Sequence, residues 1–282
     1  MENNVEISEV VSEKPRWFFE DDYSKKAEFQ FLLQDYNEYI EDRAEGARDR
    51  VDLMIRDISK MLKKQAGRRI IRSSNYRIKD FDSAIGKLLF KHRNDTEPRE
   101  FQVGDMKREV RDIVGARVIV LYNNEIGKVV EAINNYPGVN VESLKDYGTE
   151  TKGLVEEFGP RVTETEPKPS GYRGLHLMVS VETALNGKVE KTPVEIQIRT
   201  KMMDVWASLE HESSYKKSPL DSIKFSYLVI GDILKKIEAF TMSLYNAAQK
   251  AEEVDVSEFI QGLIDSLNTY KELWDETKNP SE

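Results

Sequence analysis

The chain has 282 residues, of which 39% are hydrophobic and 33% charged, and its formal net charge is −9. These values indicate a globular, helix-rich protein, exclude disordered and fibrous chains, and disfavour broad coating of nucleic acid. Cysteine is absent, which excludes disulfides and thiolate metal sites. No apolar run approaches the ~20 residues needed to cross a bilayer, and the acidic N-terminus lacks signal-peptide features. We therefore expect a cytoplasmic protein with no membrane partner.

The hydrophobic pattern predicts helices at both ends of the chain. Residues 1–20 are polar and are expected to form a flexible tail. Residues 22–67 carry apolar side chains at helical spacing, which Gly46 either interrupts or weakens. Residues 201–282 are predicted to be helical again, with a break near residues 254–257.

The middle of the chain predicts a mixed β-sheet, so the fold class is α+β with the sheet flanked by helices. The predicted strands are 112–122, 139–144, 174–182 and 192–198. The dipeptide Asn186-Gly187 is a strong turn signal and joins the last two strands in a hairpin.

A group of cations with one hydroxyl follows the first helical region. It comprises Arg77, Lys79, Ser83 and Lys87. If Asp80 or Asp82 caps a helix here, Ser83 and Lys87 share one face because they are four residues apart. Basic groups beside a helix N-terminus suit a triphosphate. A solvated basic helix face explains the same residues at least as well, so both interpretations stay open.

Two carboxylates, Asp112 and Glu195, are expected on strands that could be neighbours in one sheet. Carboxylates that meet at a sheet edge, with cations around them, are typical of sites that bind Mg²⁺ through substrate phosphates. The alternative is that each carboxylate pairs with an arginine, Asp112 with Arg111 and Glu195 with Arg199.

Further polar groups align with the last predicted strand, where apolar residues alternate with Glu195, Gln197 and Arg199. An acid, an amide and a guanidinium on one edge suit a charged ligand. Tyr172 lies on a loop between two glycines and beside an arginine, which suits base stacking. Packing at a sheet corner is the alternative for this tyrosine. His176 alternates with leucines and so points to the same polar edge.

Six motifs occur in order between residues 76 and 216: R-x-K-x-x-x-S-x-x-x-K, R-D-x-x-G-x-R, K-D-Y, G-Y-R-G-L-H, E-I-Q-I-R-T and W-A-S-L-E-H. Together they resemble the alarmone synthetase domain of the RelA/SpoT family. The sequence shows no sign of that family's hydrolase domain or of its long regulatory half. It therefore resembles a stand-alone small alarmone synthetase, with the domain over residues 21–216 and a helical extension over 217–282.

The resemblance implies a sheet of the nucleotidyltransferase-like type and a GTP pyrophosphokinase. Such an enzyme transfers the β,γ-pyrophosphate of ATP to the 3′-hydroxyl of GDP or GTP, makes ppGpp or pppGpp, and releases AMP. Terminal helices of small synthetases commonly build tetramers, so a homo-oligomer is expected.

The resemblance also assigns roles to single residues. For ATP, Arg77 and Arg117 would sandwich the adenine, and the phosphates would contact Lys79, Ser83 and Lys87. Asp112 would bind Mg²⁺ with help from Glu195. Glu195 would also position or deprotonate the acceptor hydroxyl, and Gln197 would orient it. Tyr172 would stack on guanine, while the residues expected to face phosphates or ribose are Lys145, Lys168 and His176.

Two departures from the family pattern leave the acceptor open. A longer stretch, 148–170, separates K-D-Y from G-Y-R, and Asp80-Phe81 stands where relatives often have small residues. One alternative is a toxin-like relative that modifies tRNA 3′ ends or adenosine nucleotides. A basic cluster that could serve it comprises Lys60, Lys63, Lys64, Arg68, Arg69 and Arg72. A non-catalytic nucleotide sensor is a second alternative.

Overall fold

The computed structural model describes residues 23–94, 102, 104–149, 161–164, 168, 170–185, 188–214 and 221–278. These residues form the predicted α+β architecture, a mixed sheet of six strands flanked by helices. The predicted tail, most of the 148–170 stretch and the Asn186-Gly187 turn lie outside the described residues.

The helices are α1 (Tyr23–Tyr39), α2 (Glu45–Ala66), α3 (Phe81–Asn94), α4 (Asp105–Glu109), α5 (Asn124–Asn134), α6 (Lys201–Ser214), α7 (Asp221–Lys250) and α8 (Val256–Lys278). The strands are β1 (Ser73–Ile78), β2 (Val114–Val120), β3 (Val139–Tyr147), β4 (Val162–Glu164), β5 (Gly174–Leu185) and β6 (Lys188–Thr200). Within these ranges no helix is both long enough and apolar enough to span a membrane.

The first helical region is continuous through Gly46, which lies in the first turn of α2. A π-helical turn, Ile40–Ala44, joins α1 to α2 immediately before that glycine. The inner face of α2 is buried because its apolar residues recur at helical spacing. These residues are Val51, Met54, Ile55, Ile58 and Leu62. Gly67 ends the helix with a φ of +66°, a conformation that glycine adopts without strain.

The sheet has the strand order β1-β2-β6-β5-β3-β4. The β2–β6 and β3–β4 pairs are parallel, and the other neighbours are antiparallel. In the central strand β6, Val194, Ile196 and Ile198 are fully buried in the main core, which also takes in the inner face of α2. The alternate residues of β6 therefore face the opposite side of the sheet, where the functional groups lie.

Strands β1 and β4 were not predicted, and β3, β5 and β6 extend beyond their predicted bounds. The strand predicted over 112–122 begins at Val114, so Asp112 lies in the turn before it. Strand β1 was not predicted because it is an edge strand with mostly exposed residues and little apolar alternation. Arg77 lies on this strand, beside β2, while Ser83 and Lys87 lie on α3 as expected.

Helix α7 contacts the preceding part of the chain near both of its ends. Trp206 of α6 is buried and donates its Nε1–H to the carbonyl of Tyr227 on α7 at 3.0 Å. Near the other end of α7, the Tyr245 hydroxyl accepts a hydrogen bond from Arg68 at 2.9 Å. The predicted break between the last two helices is confirmed, with α7 ending at Lys250 and α8 starting at Val256.

Candidate active site

The polar residues of four strands form one row across the sheet. In register, Arg117 on β2 lies opposite Gln197 on β6, Gln197 opposite His176 on β5, and His176 opposite Lys145 on β3. Glu195 lies two residues before Gln197 and opposite Gly115. Because side chains two residues apart share a face, this row and Glu195 are on the same side of the sheet.

A pocket of about 140 Å³ opens at the β1 end of this row. Its lining residues are Asn75, Arg77, Gly115, Ala116, Arg117, Glu195 and Gln197. The Arg77 side chain crosses Gly115 so closely that a Cβ there would lie 3.3 Å from Arg77 Nε. Burial, together with the positive charges of Arg199 and Arg77, lowers the pKa of Arg117, and the nearby Asp204 carboxylate opposes the shift. Two planar guanidiniums at one pocket can stack on an aromatic ring.

A lysine pair surrounds Asp112 next to this pocket. Lys79 Nζ and Lys87 Nζ lie 2.7 and 2.9 Å from the same oxygen, Asp112 Oδ2. Burial raises the pKa of Asp112, but the hydrogen bonds and charges of both lysines outweigh it and hold the pKa below its ordinary value. The predicted pairing of Asp112 with Arg111 is wrong, since Arg111 pairs with Glu142.

The start of α3 fixes the position of these lysines. Asp80 is the residue that caps the helix, accepting hydrogen bonds from the Ser83 amide at 2.8 Å and the Ser83 hydroxyl at 2.9 Å. Phe81 packs edge-on against Tyr36, whose hydroxyl donates to the carbonyl of Lys79 at 2.5 Å. Asp80 and Phe81 thus anchor the segment that carries Lys79 and Ser83, and the Ser83 hydroxyl is engaged by Asp80 in this conformation.

The Glu195 carboxylate has a partner at each oxygen. Gln197 Nε2 donates to Oε2 at 2.7 Å, and His176 Nδ1 lies 3.5 Å from Oε1. Burial alone would raise the pKa of Glu195, but the contacts with His176 and Gln197 reverse the shift and lower the pKa to about 2. The predicted pairing of Glu195 with Arg199 is wrong, because Arg199 donates to Gln197 instead.

An aromatic cluster lies at the β3 end of the row. Tyr172 packs edge-on against Tyr147, His176 and Trp206 and is only 7% exposed. The Lys168 ammonium lies 4.7 Å from the centre of the Tyr172 ring and 4.8 Å from that of Tyr147. A cation and two phenol rings thus border the site on the side away from Arg77.

The carboxylates of this site are suited to a divalent cation that arrives with phosphates. Asp112 Oδ1 is buried and has no hydrogen-bond partner, although Oδ2 has two. The Asp112 charge also opposes ionisation of Glu195, which shows that the two carboxylates interact. Among the described side chains, no group of three or more carboxylates, histidines or cysteines is assembled for a metal.

Comparison with known proteins gives a consistent result. The family defined by the region found in RelA / SpoT proteins matches residues 76–219. The chain belongs to this family. The GTP pyrophosphokinase YwaC of Bacillus subtilis is 34% identical over 170 residues, covering 60% of this chain and 70% of YwaC. The GTP pyrophosphokinase YjbM of the same organism is 26% identical over 188 residues, covering 60% of this chain and 74% of YjbM.

A solved RelA/SpoT-family structure has the same fold. The small alarmone synthetase 1 of Bacillus subtilis, bound to its product pppGpp, aligns with a TM-score of 0.61 at 20% identity. The alignment covers 76% of this chain and 98% of that protein. The predicted sheet flanked by helices is thereby confirmed.

Two residues at this RelA/SpoT-type site, Tyr147 and Asp204, were not recognised from the sequence as part of it. Tyr147 was visible only as the end of K-D-Y, whereas Arg199 was expected on the polar edge of the strand with Glu195 and Gln197. Asp204, on α6, lies 3.3 Å from Arg117 Nη1 and 3.6 Å from Arg199 Nη1. The alternation of β6 was a usable signal for Arg199. Nothing in the sequence pattern pointed to Asp204, because its role depends on how α6 folds back over the sheet.

The basic cluster before the site does not form one continuous patch. Arg68 is only half-exposed, pairs with the fully buried Glu125 and lies over the rings of Tyr122 and Tyr245. The remaining members divide into exposed side chains and the half-buried Arg72, whose Nε is buried without a partner. This family member therefore has fewer free cations here than the sequence predicted.

Proposed function

We propose that this protein is a GTP pyrophosphokinase that transfers the β,γ-pyrophosphate of ATP to the 3′-hydroxyl of GDP or GTP, yielding ppGpp or pppGpp and AMP. The observation that carries the proposal is the juxtaposition, on one face of the sheet, of two guanidiniums, a lysine pair and an ionised carboxylate. Family membership and the names of YwaC and YjbM support the same reaction.

The donor nucleotide is assigned to the β1 side of the site. Arg77 and Arg117 would hold the adenine between their guanidinium planes, because both line the same pocket. Lys79 and Lys87 converge on one point and would bind the ATP phosphates there. Ser83 would join them only after its hydroxyl turns away from Asp80.

Mg²⁺ is the metal that this donor set favours, with Asp112 as its main ligand and Glu195 as its second. The partnerless Asp112 Oδ1 supports this assignment. When bound, the ion would neutralise charge on the transferred pyrophosphate. Lys79 and Lys87 would then turn from Asp112 toward the phosphates, since both now share its other oxygen.

The acceptor nucleotide is assigned to the β3 side. Tyr172 would stack on guanine, and Lys168 and His176 would face its phosphates or ribose, with Lys145 at the outer end of the row. Because Tyr172 is buried in this conformation, stacking requires its loop to open or a neighbouring ring to move.

The chemistry follows from alignment and charge. Glu195, kept ionised by its neighbours, would accept the proton of the 3′-hydroxyl, while Gln197 orients that carboxylate. The hydroxyl oxygen attacks the β-phosphorus, and the bond from that phosphorus to the oxygen bridging it to the α-phosphate breaks, so AMP leaves. Positioning and neutralisation of charge supply most of the rate in such transfers.

The test follows label from γ-labelled ATP into GDP, GTP, GMP or bulk tRNA, with ATP alone as a further acceptor and Mg²⁺ present. We expect label on guanosine nucleotides, and a loss of about 10²- to 10⁴-fold for Glu195→Gln. Label on tRNA or on adenosine nucleotides would instead support the toxin-like alternative. Transfer to none of them, with nucleotide binding retained, would identify a sensor.

Domain boundaries and assembly complete the proposal. The synthetase domain would span residues 21–216, because α1 and α2 contribute to the same core as the sheet. The 217–282 extension would serve assembly of a homo-oligomer, a tetramer, through α8. That helix exposes a stripe of large apolar side chains: Val256, Ile260, Ile264 and Leu267.

A further inference from the structure

Arg199 is a buried arginine at the centre of the site that would touch neither nucleotide. Its side chain is only 7% exposed. One nitrogen, Nη2, donates both to the Tyr172 hydroxyl at 3.0 Å and to Gln197 Oε1 at 2.8 Å. The other terminal nitrogen lies 3.6 Å from Asp204. Since a guanidinium can only donate hydrogen bonds, every group that Arg199 contacts must present a lone pair to it.

The first consequence concerns Gln197. Its amide has one accepting and one donating end, and Arg199 can contact only the accepting end. The donating end is thereby turned to Glu195 Oε2, which it reaches at 2.7 Å. A reversed amide would place two donors together at Arg199 and two acceptors together at Glu195.

The second consequence concerns His176. The Tyr172 hydroxyl accepts from Arg199 and is 2.5 Å from His176 Nε2. Because the hydroxyl is buried, its own proton also needs an acceptor, and His176 Nε2 is the neighbour that can offer a lone pair to it. A neutral imidazole then carries its proton on Nδ1, the nitrogen 3.5 Å from Glu195 Oε1.

We infer that Arg199 is a positioning residue that sets the direction of two hydrogen-bond paths, through Gln197 and through Tyr172 and His176, so that both present a donor to Glu195. The two oxygens of the reacting carboxylate are then held by groups whose direction comes from one guanidinium. Asp204 keeps that guanidinium in place and is shared with Arg117.

The direct test is the tautomer of His176 in the nucleotide-free protein. Nitrogen-15 NMR separates a protonated from a bare imidazole nitrogen, and the chain has only three histidines to assign. Substitution of His92 or His211 identifies the other two signals. In its neutral form, His176 should carry its proton on Nδ1. A neutral imidazole with its proton on Nε2 would overturn the inference, whatever the protein proves to catalyse.

Variants separate the direction of the hydrogen bonds from general stability. Arg199→Met and Tyr172→Phe should each populate the Nε2–H tautomer, whereas Arg199→Lys, which also only donates, should retain Nδ1–H. Arg173→Met is the matched control, because it removes a different buried ion pair, in which Arg173 Nη2 lies 2.8 Å from Glu238 Oε2. The control should lower the melting temperature without moving the tautomer. An unchanged tautomer in both Arg199→Met and Tyr172→Phe would contradict the mechanism.

A kinetic measurement, which rests on the proposed function, completes the test. Arg199→Met should lower kcat by about 10- to 100-fold, as for other residues that orient a reacting group, with a smaller change in KM for ATP. Arg199→Lys should recover part of kcat. A loss in KM alone, with kcat intact, would show that Arg199 acts in binding rather than in positioning Glu195.

Discussion

Asp112 and Glu195 are both ionised, but different neighbours keep them so. Two ammonium groups hold Asp112, whereas a hydrogen bond from the Gln197 amide and the nearby imidazole of His176 hold Glu195. The lysines can be drawn away by phosphates, while the partners of Glu195 sit on the sheet itself. Binding of ATP should therefore rearrange the surroundings of Asp112 and leave those of Glu195 in place.

Substitution of Gly115 should selectively weaken the binding of ATP. A Cβ at this position would lie 3.3 Å from Arg77 Nε and 3.4 Å from Arg77 Cγ. Gly115→Ala should displace Arg77 from the pocket and raise KM for ATP about tenfold, equal to about 1.4 kcal/mol. Gly127→Ala is the control, since a Cβ there meets nothing within 4 Å. Equal KM values for both variants in steady-state kinetics would refute this prediction.

At the residue scale, the sequence predicted which groups face the site but not what each one contacts. Alternation in β6 placed Glu195, Gln197 and Arg199 on one edge, and the structure agrees. The partners were predicted wrongly because pairing depends on strand register and on α6, which lie far apart in sequence. Arg199, expected beside Glu195, does not contact it and is linked to it through Gln197 and through Tyr172 and His176.

At the scale of single elements, the cap of α3 makes stability depend on pH. Burial raises the pKa of Asp80, but its hydrogen bonds from Ser83 prevail and lower it below 3.8. The charged cap therefore stabilises the fold fully at pH values above the ordinary pKa of an aspartate. This contribution is lost as the pH falls through the lower pKa of Asp80 in the folded state.

Asp80→Asn should isolate this effect, because asparagine caps without a charge. The wild-type protein should be more stable than the variant by about 0.3–1 kcal/mol near pH 6, and the difference should shrink below pH ~4. Urea unfolding from pH 6 to 3 measures it. Asp82→Asn, which removes an exposed charge in the same turn, should show a smaller difference. A stability difference between wild type and Asp80→Asn that grows as the pH falls would contradict the assignment of the cap.

The contact between α7 and the loop before β5 depends on two glycines. Gly171, in the loop, has a φ of +82°. A Cβ added to Gly231 on α7 would lie 3.3 Å from the carbonyl oxygen of Gly171 and 3.1 Å from Trp206 Nε1. Gly231→Ala should thus weaken docking of α7 and destabilise the protein by about 1–3 kcal/mol. Thermal unfolding followed by tryptophan fluorescence measures this. Gly262→Ala should not destabilise the protein in this way, because a Cβ there meets nothing within 4 Å. Equal melting temperatures for Gly231→Ala and Gly262→Ala would contradict the close packing at Gly231.

At the scale of the whole molecule, the apolar stripe of α8 is the main surface without a partner in the described chain. Ile260, Ile264 and Leu267 are each about half-exposed, at 50%, 45% and 48%. Ile264→Glu should therefore dissociate a homo-oligomer, because a charge cannot be buried unpaired in an apolar interface. Light scattering coupled to size exclusion measures the mass. Thr269→Glu, an exposed position off the stripe, should leave the mass unchanged. An unaltered mass for Ile264→Glu would place assembly elsewhere.

The fold as a whole was predictable where elements are buried and periodic, as in α2 and β6. It was not predictable where an element owes its structure to a neighbour. Strand β1 exists because its backbone pairs with β2, and its own side chains are mostly exposed. Likewise, Arg68 looked like part of a basic surface, yet Glu125, Tyr122 and Tyr245 enclose it.

Strand β6 carries the reacting groups and the middle of the core on alternate residues. A shift of one residue would exchange its two faces. A one-residue insertion or deletion within this strand would therefore bury Glu195 and expose isoleucine, so the altered protein would be recovered as insoluble aggregate. A substitution such as Glu195→Gln leaves the register alone and yields soluble but inactive protein. This chain should therefore tolerate a change of residue on β6 far better than a change in the length of the strand.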